Sequence, residues 1–399
     1  MDWSFPSFYR LVPEAILQAR WQRAAELLAE LGLDGMLVTN AVDLYYLSGT
    51  SQQGALFLDR AGGPRLFVRR HPPRARAESP VPVEEVSGFG QVARALGLPP
   101  GTRLGLFLDL MPAREYLGWG RRLPGVELVD MAGPWLELKG VKDAFEIEAI
   151  GRAGRIALES YAQVPRLLTE GKSEAQLAGE ILTYGMARGG MNLVNSRGGF
   201  MGNYNWHLVA GPPGGLPSTL DAAFGGLGPS PAFPQGASLR PIGRGEPVIV
   251  DVGWSVEGYM TDQTRTYCLG PAADELHRAH QCLEAVEAAL LAELKPGAVS
   301  GRFYELAWEV AREHGMERWF LGRPGHRIRF VGHGVGQELG APPYLLEGSR
   351  ARVRAGEVYA LELKIVLPAG PVGLENTVLV NPQGPPTILT PIPGRLQEV

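Results

Sequence analysis

Residues Val248 to Tyr267, VIVDVGWSVEGYMTDQTRTY, place two carboxylates, Asp251 and Asp262, inside sequence that otherwise has the character of β-strand. Val248, Ile249 and Val250 form an apolar, β-branched run expected to be a buried strand. Tyr259 to Tyr267 is expected to be a second strand, after a turn between Gly253 and Gly258. If the two pair as a hairpin, both carboxylates can face one side of the ladder. Buried like charges repel, and each costs free energy to desolvate, unless a cation lies between them. A divalent metal meets that condition.

Three residues further on extend the same logic: His333 in FVGHGVGQELG, Glu362 in VYALELKIVL and Glu375 in VGLENTVLV. Both glutamates sit in apolar, strand-like runs, where an unpaired carboxylate is costly. Four carboxylates and one imidazole offer hard oxygen donors with one nitrogen, and their negative charge suits two divalent cations better than one. Two ions about 3.5 to 4 Å apart polarise water into a nucleophile near neutral pH, so hydrolysis is the expected chemistry. Structural alternatives stand beside each residue. Asp251 and Asp262 can pair with Arg265 or Lys364, Glu362 can pair with Lys364 on one strand face, and His333 can be a loop histidine. His277, His280 and Cys282 share a predicted helix, but Ala279, Leu283 and Val286 make it an amphipathic core helix rather than a second metal site. Gly332, Gly334 and Gly336 lack the strand-to-helix context of a phosphate loop.

A chain of 399 residues is long enough for two domains. Charged residues make up 20% of it with a net charge of -4, so no basic excess points to nucleic acid or anionic membranes. No run reaches the roughly 18 uncharged apolar residues of a membrane span, so no membrane association is expected. With two cysteines, Cys268 and Cys282, and no secretory pattern in MDWSFPSFYRLV, a cytoplasmic location is expected.

Pro13 to Leu31 carries Ile16, Leu17, Trp21, Ala24, Leu27, Leu28 and Leu31 at helical spacing and stops at Gly32. Short apolar runs at 36–38, 55–58, 66–68, 104–108 and 126–129 then alternate with helical sequence, giving an α/β domain over residues 1–136. The proline- and arginine-rich stretch 72–82 is expected to be a surface loop. Residues 137–399 differ in texture, with helices over 143–169, 174–188, 273–294 and 302–314 and strands from 329 to 379, an α+β pattern. The Gly/Pro-rich stretch 196–245 contains Trp206 and His207 and is expected to be either a long ordered loop around a site or a mobile lid, with a short strand over 205–210.

These motifs resemble those of the pita-bread metallopeptidases, the family of Xaa-Pro aminopeptidase, prolidase and methionine aminopeptidase. The two-aspartate segment, GHGVG, ALEL and GLENTVLV preserve the ligand order Asp, Asp, His, Glu, Glu. DLYYLSGT, KDAFEIEAI and LKPGAVS are similar to the creatinase-type, two-domain members. The resemblance implies a creatinase-like N-terminal domain, a pita-bread catalytic domain and a homodimer. It also implies two divalent ions per subunit, manganese, cobalt, iron or zinc. Asp251 is then expected to chelate one ion, Asp262 and Glu375 to bridge both, and His333 and Glu362 to hold the other, with Glu362 also shuttling a proton. The expected substrate is a short peptide or amide.

The surrounding positions depart from the family pattern. Where histidines are usual stand Arg329, Gly340 and Gln235, and Leu363 and Gly373 replace a common proline and arginine. His207 and His326 are candidates to substitute for the missing histidines, and Gln235 is a further candidate for substrate binding. Arg329 is a candidate to bind a substrate carboxylate or to pair with Glu338. Three functions follow as alternatives: an aminopeptidase or dipeptidase of Xaa-Pro or altered specificity, a creatinase-like amide or amidine hydrolase, and a non-catalytic binding protein that keeps the metal.

Overall fold

The computed structural model describes residues 5–192, 194–197 and 207–399; Trp206 lies outside the described residues. The chain divides into two units, Met1–Lys139 and Gly140–Val399.

In the first unit the short apolar runs pair as a six-stranded mixed sheet. Strands Gly35–Val38, Gly54–Asp59 and Pro64–Val68 are antiparallel neighbours, while Arg103–Leu106 and Glu127–Asp130 add in parallel beyond Gly35–Val38. Helix Glu14–Glu30 buries Leu17, Ala24 and Leu28, as its spacing predicts. The stretch expected to be a loop instead contains helix Pro72–Glu78. Proline is tolerated in a first helical turn, where its missing N–H has no partner to lose. Glu78 at the end of that helix is buried, accepting from Arg74 Nε at 2.7 Å and from Thr50 Oγ1.

The second unit is built on two mainly antiparallel sheets. In one, the strand Pro247–Asp251 lies between Thr264–Cys268 and His207–Ala210. Its burial is that of a β-branched run covered on both faces: Val248, Ile249 and Val250 are inaccessible to solvent. The second expected strand is interrupted. Tyr259–Met260 pairs with Ser255–Val256 as a small hairpin, and only Thr264–Cys268 returns to the ladder. Tyr161, the last residue of helix Ala144–Tyr161, fixes this connection. Its hydroxyl donates to the Gln263 carbonyl at 2.6 Å and accepts from the Val252 N–H at 3.0 Å.

The other sheet runs in the order Ala341–Leu346, Phe330–Gly334, Val358–Ala360, Thr377–Leu379 and Thr387–Ile388. Two of its strands break. Val358–Ala360 resumes as Leu363–Leu367, and Gly370–Leu374 resumes as Thr377–Leu379, with Leu363–Leu367 and Gly370–Leu374 forming a separate hairpin. Glu362 and Glu375 occupy the two breaks. The Glu375 N–H and carbonyl exchange hydrogen bonds with Thr264, at 3.1 and 3.3 Å, so one β-bridge joins the two sheets at the point where both carry acidic residues. Helices Asp274–Glu293 and Ser300–Glu313 pack on each other and share an apolar core with Ile365, Val366, Leu367 and Val372 of the hairpin.

Candidate metal centre

Each acidic side chain of the centre projects from a backbone position fixed by its neighbours. Asp251 ends its strand directly opposite His207 on one side and Thr264 on the other. Asp262 lies in the loop two residues before Thr264, and its backbone is tied to the other sheet. Its N–H donates to Thr377 Oγ1 at 2.9 Å, and that hydroxyl donates back to the Asp262 carbonyl at 2.8 Å. The Glu362 N–H donates to the Val331 carbonyl at 3.0 Å, placing its side chain beside His333.

Together these constraints gather one donor atom each from Asp262, His333, Glu362 and Glu375 within 4.8 Å of one another. His333 Nε2 lies 3.6 Å from Asp262 Oδ2 and 3.9 Å from Glu362 Oε2. The other ring nitrogen of His333, Nδ1, donates to the Gly334 carbonyl at 3.1 Å, which leaves the Nε2 lone pair directed at the carboxylates. The Oε1 atom of Glu375 is buried without a hydrogen-bond partner. An orphaned carboxylate oxygen among three other converging donors is what a hard or borderline divalent ion completes, so the donor set fits a metal.

Without an ion the group is electrostatically strained. Burial, followed by the neighbouring Glu375, drives the Asp262 and Glu362 carboxyls well above their ordinary range. Burial works against ionisation of Glu375 too, but the Lys364 ammonium, a hydrogen bond with Glu362 and the nearby His333 together hold that carboxyl down at about 2. Lys364 is itself buried, 2.8 Å from Glu375 Oε2 and 3.0 Å from Glu362 Oε1, and these anions raise its affinity for its proton despite burial. Burial keeps His333 neutral by lowering its pKa.

A pH dependence of stability follows. Asp262 and Glu362 bind protons more tightly folded than unfolded, so the stability they contribute is complete below the unfolded carboxylate range and is lost as pH rises through their folded values. Metal-free protein is expected to lose about 1 kcal/mol per pH unit for each such carboxyl over the rising range. Glu375 has the opposite sign, its contribution vanishing only as pH falls from the ordinary range toward about 2. Added divalent ion is expected to restore the loss and to release protons on binding, because its ligands must be deprotonated. Calorimetric melts with and without chelator, from about pH 5 to about pH 8, check this; a metal-free profile that is flat or rises with pH contradicts it.

The centre opens onto a cavity of about 740 Å³. Its described lining is largely apolar and includes Leu220, Phe224, Trp254, Phe330 and Tyr344. Asp251 lines it, and so does His207, whose Nδ1 is 2.9 Å from Asp251 Oδ2 and whose ring stacks on Phe224 at 4.9 Å. His207 Nε2 is buried with no partner. Gln235 is buried in the lining as well, and Gly340 borders it.

Arg329 and His326 are not brought to the cavity. The Arg329 side chain is 74% exposed and pairs with Glu347 at 2.7 Å across the antiparallel ladder, because Phe330, next in sequence, registers with Leu346. Glu338, its other expected partner, instead pairs with Arg197 at 3.0 Å. His326 is exposed on the small hairpin Gly322–Arg323/His326–Arg327. Arg265 pairs with neither aspartate and donates to backbone carbonyls and to Asn376. His280 and Cys282 are buried in helix Asp274–Glu293, where Cys282 belongs to the apolar core and His280 lies 3.5 Å from Glu284. Sequence reasoning anticipated Lys364 beside Glu362 but not its reach to Glu375, which depends on the hairpin register Leu363↔Leu374.

Comparison with known proteins decides the affiliation. Residues 148–382, more than half of the chain, match the model of metallopeptidase family M24. The chain belongs to family M24. Its residues 20–139 match the creatinase/prolidase N-terminal domain, so the two-domain, pita-bread organisation of creatinase-type M24 proteins is present. The chain is 28% identical to "Probable dipeptidase PepE" of Mycobacterium tuberculosis over 380 residues, 90% of this chain and 91% of that protein. It superposes on the crystal structure of dipeptidase PepE from Mycobacterium ulcerans with a TM-score of 0.78 at 26% identity, covering 98% of this chain and all of the other. The Xaa-Pro dipeptidase from Bacillus anthracis shares the fold, with a TM-score of 0.80 at 21% identity, covering 96% and 100% of the two chains. Among the described residues, no helix of this M24 chain is long and apolar enough to cross a membrane.

Proposed function

We propose that this M24 chain is a metal-dependent exopeptidase that releases amino acids from dipeptides and other short peptides. The observation that carries the reading is the convergence of Asp262, His333, Glu362 and Glu375 donor atoms within 4.8 Å at the floor of the cavity. A divalent ion held by these four supplies Lewis acidity and lowers the pKa of water. The protein's side chains do the rest. Glu362, with an oxygen facing His333 and ionised once an ion is held, is made a stronger base by burial; it takes a proton from the attacking water and returns it to the leaving amine. His207, oriented by Asp251, offers Nε2 as a donor or acceptor to substrate, in the role expected for the missing histidines. Gln235 contributes a polar contact on the same wall.

The described lining contains no lysine or arginine, and Arg197 is engaged with Glu338. This favours peptides whose free carboxylate lies away from the metal, and an aminopeptidase-like preference over strict dipeptide selection. The apolar walls suit hydrophobic side chains as readily as proline. Manganese, cobalt, iron and zinc all suit such donors. Both cysteines are buried and unbonded, which supports a reducing cytoplasm, and the family resemblance supports a homodimer.

The reading is tested with protein stripped by chelator and reloaded separately with manganese, cobalt and zinc. Reloaded protein is expected to release N-terminal residues from a library of dipeptides, tripeptides and C-terminal amides, with Xaa-Pro members included. Chelation should abolish release. Absence of turnover across the library with every metal would sink the peptidase assignment and favour a binding protein.

A further inference from the structure

Glu375, Glu362 and Asp251 each have one carboxylate oxygen held by a neighbouring side chain. Glu375 Oε2 receives Thr264 Oγ1 at 2.6 Å and Lys364 Nζ at 2.8 Å, while its Oε1 has no partner. Glu362 Oε1 holds the same ammonium at 3.0 Å, and its Oε2 faces His333 Nε2. Asp251 Oδ2 is bound by His207, and no atom of Asp251 joins the four-donor group. The uncommitted donors make a single coordination sphere. A second ion bound by both glutamates would have to share Glu375 Oε2 and Glu362 Oε1 with the Lys364 ammonium.

Charge leads to the same count. Asp251, Asp262, Glu362 and Glu375 carry four negative charges, and Lys364 sits inside the cluster as a fixed cation with its side chain only 1% exposed. One divalent ion leaves the cluster slightly negative, which a buried site tolerates when its oxygens are hydrogen-bonded. A second divalent ion would make it positive and would lie beside an ammonium that has no route to solvent. The room for that ammonium is built into the opposite strand: Lys364 registers with Gly373, where an added Cβ would come within 2.9 Å of Lys364 Cδ.

We propose that Lys364 takes the place of one metal ion, so that the chain binds a single divalent cation per subunit through Asp262, His333, Glu362 and Glu375. The inference rests on the metal-dependent reading above and replaces the two-ion expectation drawn from the family resemblance. Lys364 acts on the ion count and on the positions of Glu362 and Glu375, not on substrate.

The test is the stoichiometry of the full chain, by titration calorimetry and elemental analysis with Mn²⁺, together with the electron paramagnetic resonance spectrum of the loaded protein. Wild type is expected to take one equivalent and to show an uncoupled Mn²⁺ signal. Lys364→Met, which keeps the apolar stem and removes the charge, is expected to take a second equivalent and to show exchange coupling. Lys364→Arg should remain at one. Two equivalents with a coupled signal in wild type would overturn the inference while leaving the peptidase reading intact. No binding in wild type would overturn both. One equivalent in wild type and in a folded Lys364→Met variant would overturn the role given to the lysine. If Lys364→Met fails to fold, the wild-type count and spectrum decide alone.

Discussion

Asp262→Asn is expected to yield a protein that folds, melts at a higher temperature than wild type in the absence of metal, and hydrolyses peptides at a rate reduced on the order of 10³-fold or more. The three effects share one cause. Asparagine has nearly the shape of aspartate, and the Asp262 backbone is held by its two hydrogen bonds with Thr377, so the loop keeps its course. The substitution removes a buried carboxyl that burial and then Glu375, Asp251 and Glu362 all push toward protonation. Relief of that repulsion stabilises the metal-free protein at neutral pH by about 1 kcal/mol or more. The same change deletes an anionic donor 3.6 Å from His333 Nε2, and with it most of the site's affinity for a divalent ion. Thermal melts with chelator, metal titration and peptide turnover measure the three quantities on one preparation. A variant that keeps wild-type turnover, or that melts lower without metal, contradicts this account.

Arg265→Met carries the opposite expectation, a loss of about 3 to 5 kcal/mol, which is a large part of the roughly 5 to 15 kcal/mol that holds a typical protein folded. Arg265 is inaccessible to solvent, and all of its guanidinium donors are used. Nε donates to the Pro393 carbonyl, Nη1 to those of Thr264 and Glu375, and Nη2 to the Ile392 carbonyl and Asn376 Oδ1, at 2.6 to 2.9 Å. Methionine fills much of the volume but leaves four carbonyls and an amide oxygen without this donor in a dry interior. The bridge at Thr264 and Glu375 loses its clamp at the same time, so metal affinity is expected to fall with stability. Lysine, a point donor on a flexible stem, should recover only a small part. Urea denaturation of the three proteins gives the comparison; a midpoint shift equivalent to less than about 1 kcal/mol for Arg265→Met would show that the network is dispensable.

What could be read in the sequence was the chemistry of charges placed in apolar strands. Asp251, Asp262, Glu362 and Glu375 each stand in a run whose burial is plain from its residues, and a buried carboxylate calls for a partner wherever the run ends up. The break in the second aspartate strand was less visible, because Tyr259 to Tyr267 alternates well enough to suggest one element, and only the Tyr161 and Thr377 hydrogen bonds redirect it. Partners across a ladder were harder still. Arg329 meets Glu347, and Lys364 meets Glu375, through strand registers that no local pattern specifies. Helix Pro72–Glu78 was obscured by its own prolines, which signal a turn in most positions and a helix start in one.

The bridge between Thr264 and Glu375 spans 111 residues of chain, and every donor pair in the four-residue group other than Glu362 and Glu375, which flank one hairpin, depends on it or on another contact across separate elements. Contacts of this kind close large loops and form late, after local helices and hairpins are in place. The pocket for the ion consequently has no partial form: a chain that has collapsed with either sheet out of register offers scattered carboxylates and no coordination sphere. Retained metal in a purified sample would therefore act as a gauge of how much of that sample completed its folding, independent of whether a substrate is known.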